Sequence, residues 1–99
     1  MKKELLTFKF LIMACNKEHS STDETVRDLP VGQEGSGRHK CASCAYDIGY
    51  QHGKQKSENI NLENILNSLE DSQKGERRHR SPHAAFSLGY YNGVIDSYK

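Results

Sequence analysis

Arg38-His39-Lys40-Cys41-Ala42-Ser43-Cys44-Ala45-Tyr46-Asp47-Ile48-Gly49-Tyr50-Gln51-His52-Gly53 returns forty residues later. Its second form, without a gap, is Arg78-His79-Arg80-Ser81-Pro82-His83-Ala84-Ala85-Phe86-Ser87-Leu88-Gly89-Tyr90-Tyr91-Asn92-Gly93. Arg, His, Ala, Gly, Tyr and Gly coincide, and Lys/Arg, Tyr/Phe and Ile/Leu are close substitutes. Chance alone gives roughly one identity over such a window, so an internal duplication is the simplest reading. Within each copy the apolar and small residues recur at intervals of three and four, which is a helical period. The second copy has the clearer start, with Ser81 as N-cap and Pro82 at the first helical position. The first copy has a natural C-terminal stop at Gly53.

Small residues occupy every fourth position of both copies, Ala45-Gly49-Gly53 and Ala85-Gly89-Gly93. Gly inside a helix costs roughly 1 kcal/mol against Ala, so the repetition calls for a cause. A small-residue face lets two helix backbones approach closely. The two copies are therefore expected to pack face to face about a local two-fold, with Tyr46, Tyr50, Phe86 and Tyr90 beside the crossing. The alternative is that the glycines admit a ligand or a partner.

Between the copies, Asn61 can cap a helix whose Leu62, Ile65, Leu66 and Leu69 form an i, i+3, i+4, i+7 stripe, read as core. Asp71 to Gly75 breaks that pattern. Upstream, residues 16–37 are rich in Ser, Thr, Asp, Glu and Gly and read as a linker or long loop. The expected organisation is an N-terminal segment and linker over 1–37 and a metal-binding helical domain over 38–99. The expected fold is all-α: a small three-helix domain with duplicated first and last helices, stapled by zinc, plus a loosely ordered N-terminal segment.

A staple is expected on size alone. The chain has 99 residues, 34% of them hydrophobic, and no Trp. Small domains bury too little apolar surface to be generously stable. Three cysteines are an odd number and suit a disulfide framework poorly. Cys41-x2-Cys44 with His79-x3-His83 matches the spacing of tetrahedral zinc ligands. Parallel first and last helices would bring the two ligand pairs to one end, where the positive helix termini favour thiolates. His39, the counterpart of His79, is a rival fourth ligand. Cys15 and His19 form a further Cys-x3-His pair, separated from the others by the linker. Two readings without metal stand beside these: a redox dithiol in Cys41 and Cys44, and cysteines that serve as small apolar core groups. His52 reads as solvent-facing.

No Asp or Glu lies within the ligand motifs, and Asp47 faces another part of its helix, so a structural zinc is favoured over a catalytic one and the chain is not read as an enzyme. The net charge of +1 argues against a strongly basic nucleic-acid binder. The leading functional reading is a zinc-stabilised module that binds another protein. The competing reading is a nucleic-acid-binding zinc module that uses the basic arms Arg38/Lys40 and Arg77/Arg78/Arg80. The third is a small surface lipoprotein. Residues 1–15 resemble a bacterial lipoprotein signal, with a basic start, a short apolar run and Ile12-Met13-Ala14 before Cys15. Lys9 interrupts that run, which is too short to span a bilayer, and the competing reading is an amphipathic segment packed on the domain. A cytoplasmic location is therefore expected, with lipid anchoring through Cys15 as the alternative.

Overall fold

The computed structural model describes residues 15, 19–33, 39–72 and 79–99. Within them the chain forms four helices and no strands: α1 (Ser20–Val26), α2 (Ala42–Lys54), α3 (Leu62–Asn67) and α4 (Pro82–Ser97). The sequence pattern predicts α2, α3 and α4. It does not predict α1, which lies in the stretch read as linker. That helix is seven residues long and its apolar contribution is a single Val26, fully buried against the core. One apolar residue in seven leaves no periodic signal, so composition alone reads the stretch as connector. The readings made on residues 1–14 lie outside the described residues. Among those described, no helix is long and apolar enough to cross a membrane.

The helix caps follow from the residues at the boundaries. Asn61 accepts from the Asn64 amide (3.1 Å) and Ser81 from the Ala84 amide (3.1 Å), each satisfying a donor the helix cannot. Pro82 takes the first helical position of α4. Gly53 does not stop α2, which runs on to Lys54 and is followed by Lys56 at φ 53°. The left-handed position that usually suits Gly is thus filled by Lys56, because Gly53 has another task.

That task is the contact between α2 and α4. A methyl group on Gly49 would overlap the carbonyl of Phe86, and one on Gly89 would overlap the carbonyl of Tyr46. Gly53 against Tyr90 and Gly93 against Tyr50 repeat the relation one turn later. The pairings advance together along both helices, so α2 and α4 run parallel, backbone against backbone. Tyr50 donates to Asp96 (2.7 Å), and Asn92 donates to the Tyr46 hydroxyl (2.8 Å), tying the two helices further along.

Two isolated bridges, Val31 with Arg80 and Lys40 with Asp71, close the end where α2 and α4 begin. Their hydrogen bonds recur at an interval of forty residues. Ser81 N donates to Pro30 O and Cys41 N to Glu70 O, both at 2.8 Å. Gly32 N donates to His79 O (2.9 Å) and Ser72 N to His39 O (2.7 Å). Gln33 joins the two lead-ins, its Nε2 donating to Lys40 O (2.6 Å) and Arg80 O (3.0 Å). The core between these elements is small. Val26, Leu66, Leu69 and Phe86 are its only large members among the described residues, alongside Ala42, Ala45, Ala85 and the three cysteines.

The glycine contacts make a testable demand. In an exposed helix, Gly→Ala gains about 1 kcal/mol. Here Gly89→Ala should lower stability by about 2 kcal/mol or more, because the methyl must displace a backbone. Chemical denaturation measures this, with Ser87→Ala on the exposed face as a near-neutral control. A stabilised Gly89→Ala protein would contradict the contact.

Candidate metal centre

Cys41 is the N-cap residue of α2, and its Sγ accepts from the Cys44 amide (3.3 Å). The Cys-x-x-Cys spacing thus brackets the first helical turn and turns both sulfurs to one side. Cys15 reaches the same place from the other direction, held by its amide, which donates to Asp71 O (2.7 Å). Its Sγ lies 3.4 Å from the Cys44 Sγ and 3.4 Å from His19 Nε2. His19 Nε2 is also 3.6 Å from the Cys44 Sγ. The ligand atoms of Cys15, His19, Cys41 and Cys44 all lie within 4.8 Å of one another, and all four residues are buried.

These separations fit a tetrahedral ion. Zinc–sulfur bonds near 2.3 Å and zinc–nitrogen bonds near 2.0–2.1 Å give ligand-to-ligand edges of about 3.5–3.8 Å. The electrostatics point the same way. The neighbouring Cys41 sulfur, then burial, then Cys15 hold the Cys44 thiol far above the ordinary thiol range. Three thiols this close in a dry site cannot ionise together unless a cation neutralises them.

The imidazole is oriented from behind. His19 Nδ1 lies 3.0 Å from Asp47 Oδ2, and Thr22 donates to the other carboxylate oxygen (3.2 Å). A carboxylate can only accept, so the proton sits on Nδ1 and the Nε2 lone pair faces the sulfurs. The sequence-based expectation that Asp47 faces elsewhere is therefore corrected. Its carboxylate belongs to the layer behind the ligands. Ser43, between the two cysteines of α2, is fully buried and donates to Asp23, which ties α1 to the same turn.

The quartet is not the set that the spacing of the repeat predicts. Cys41 and Cys44 come together with Cys15 and His19 rather than with His79 and His83. The His79 ring packs edge-on against His39, with centroids 4.7 Å apart, and its Nδ1 donates to Gln33 O (3.2 Å). His83 is exposed and lines a shallow cleft with Leu62, Glu63 and Leu66. His39 is buried at 3% exposure, and its Nδ1 has no hydrogen-bond partner among the described residues. His52 is half-buried rather than solvent-facing, with Nδ1 3.1 Å from Ser57 Oγ. The Cys-x3-His spacing of Cys15 and His19 and the odd third cysteine were the available signals. The intervening stretch, read as linker, hid their proximity.

Among the basic arms, Arg38, Arg77 and Arg78 lie outside the described residues. Lys40 Nζ donates to Asn67 O and Leu69 O (both 3.0 Å), and the Arg80 guanidinium donates to Leu29 O (3.1 Å). Both side chains close backbone carbonyls at the ends of α3 and α1. Comparison with protein families, with curated proteins and with solved structures finds no match to this chain.

The orienting role of Asp47 is measurable. Asp47→Asn keeps the size of the side chain but removes the charge that fixes the His19 tautomer. It should weaken metal binding about 10- to 100-fold in a competition titration with a chromophoric chelator. Unchanged affinity would mean that the Asp47 charge does not tune the imidazole.

Proposed function

We propose that this chain is a small module folded around one structural zinc ion, held by Cys15, His19, Cys41 and Cys44, and that it serves as a binding partner for another protein. The observation that carries the reading is the buried quartet of three sulfurs and one imidazole. That donor set suits zinc, and it fills all four corners of a tetrahedron with protein atoms. A closed shell offers no position for a water or a substrate, so the proposed role is structural and the module is not an enzyme. An internal duplication accounts for the forty-residue interval of the bridging hydrogen bonds, with the metal ligands confined to one half.

Protein binding is preferred to nucleic-acid binding because Lys40 and Arg80 spend their charged groups on backbone carbonyls. A cytoplasmic setting is favoured because zinc ligation needs reduced thiols. Lipid anchoring through Cys15 is the rival use of the same atom. A thioether to lipid and a bond to zinc cannot share one sulfur, so the two readings exclude each other.

Native mass spectrometry of the purified chain should find one zinc per molecule. Binding must displace thiol protons, so apparent affinity should rise by about tenfold per pH unit for each proton released. Structural zinc supplies about 10–16 kcal/mol in small zinc domains, comparable to the whole stability of a domain. Strong chelation or Cys15→Ser should therefore abolish cooperative melting, whereas His83→Ala should retain the metal. Zinc-free protein that melts unchanged after chelation would defeat the reading.

A further inference from the structure

The outward face of α4 carries Ala84, Leu88, Tyr91, Ile95 and Tyr98, at successive steps of four, three, four and three residues. A mean step of 3.5 is the spacing of a helix that packs along its length against another helix. Ala84 and Leu88 are half-buried, and the face opens toward its C-terminal end. Tyr91 is 63%, Ile95 41% and Tyr98 74% exposed. Position in the fold does not require apolar residues there. Forty residues earlier, the places that match Tyr91, Ile95 and Tyr98 hold Gln51, Gln55 and Glu58, all exposed and polar, whereas Ala84 and Leu88 match Cys44 and Ile48.

We propose that this face is the interface of a homodimer, in which α4 of one copy packs antiparallel against α4 of a second. The proposal deepens the interaction-module reading by naming the partner. Two properties select a second copy. First, residues 84–95 contain no Asp, Glu, Lys or Arg, so like faces meet without repulsion. Second, the charges at the two ends are complementary under a two-fold. The chain from Lys56 to Glu63 runs beside α4 in the opposite direction. At one end Lys56 Nζ lies 4.3 Å from the Tyr98 ring centre, and at the other Glu63 shares a cleft with His83. In between, Ser57 O accepts from the Tyr90 hydroxyl (2.7 Å). An antiparallel two-fold brings the same flank of both helices together, so Lys56 of each copy meets Glu63 of the other. A parallel two-fold would put the two Lys56–Glu63 flanks on opposite sides of the seam, where neither charge meets its complement. The stripe is also self-complementary in size, since small Ala84 at one end faces large Tyr98 at the other.

Sedimentation velocity on the zinc-loaded full chain over a concentration series should show a monomer–dimer equilibrium. Tyr91→Glu with Ile95→Glu should leave only monomer, with zinc content by mass spectrometry unchanged. Tyr98→Glu, at the exposed C-cap, should weaken the dimer even if the double variant folds poorly. Lys56→Glu should weaken it about tenfold, and adding Glu63→Lys should restore it. A zinc-loaded monomer at every concentration overturns the proposal, leaves the metal reading standing and leaves the face to a helix of a different protein. A dimer indifferent to Tyr91→Glu, Ile95→Glu and Tyr98→Glu overturns it equally. Loss of zinc from the unaltered chain is the separate failure that belongs to the metal reading.

Discussion

The carbonyls of Tyr46, Tyr50, Phe86 and Tyr90 occupy space that four Cβ atoms would otherwise fill, and the rest of the structure depends on this. Two parallel helices with side chains at those positions would be held apart by the side chains. With Gly there, their axes close until backbone meets backbone. Register is then fixed, since a slip of one residue would drive a side chain into a carbonyl. The contact gains close packing but little burial, because glycine has no side chain to remove from water. A fold built on such a seam has a thin core, and Val26, Leu66, Leu69 and Phe86 are its large members among the described residues.

A metal ion held by the Cys3His quartet would answer that deficit at the place where the seam begins. Cys41 caps α2 and Cys44 ends its first turn, so the site is an extension of helix geometry rather than a separate loop structure. What the remaining ligands add is reach. Cys15 brings in the chain before α1, and His19 brings in α1 itself, leaning on Asp47 of α2. A metal ion there would join α1 and the chain before it to α2, and the one large side chain that α1 buries fully among the described residues is Val26. The layers are consistent with one another. The carboxylate sets the imidazole, the imidazole faces the sulfurs, and the Cys41 sulfur, with burial and the Cys15 sulfur, holds the Cys44 thiol far above its ordinary range.

Much of this was legible in the residues, and the rest was hidden for identifiable reasons. The boundaries of α3 and α4 followed from Asn61, Ser81 and Pro82, because capping is local chemistry. The small-residue spacing pointed to a close helix contact, and Cys41 and Cys44 pointed to a site that could hold a metal ion. The partners of those cysteines were not legible. His79 and His83 had the right spacing, but His79 is taken up by His39 and Gln33, and His83 looks outward. Ligation depends on where distant chain segments meet, which spacing within a motif does not encode. α1 leaves no mark in the sequence because it is held by Val26 and by the Ser43–Asp23 hydrogen bond, not by a repeating apolar pattern.

The bridges Val31–Arg80 and Lys40–Asp71 have a consequence for how the chain reaches this state. Each joins residues from opposite halves of the molecule, and each sits at the start of a helix the other half helps to close. Neither half can therefore finish its own fold. Helical proteins usually assemble fast because their contacts are near in sequence. Here the decisive contacts span about thirty to fifty residues, and the loops must close before any of them is rewarded. The molecule is helical in content, but its folding problem is that of a sheet: two strands of chain that must find each other before either is stable.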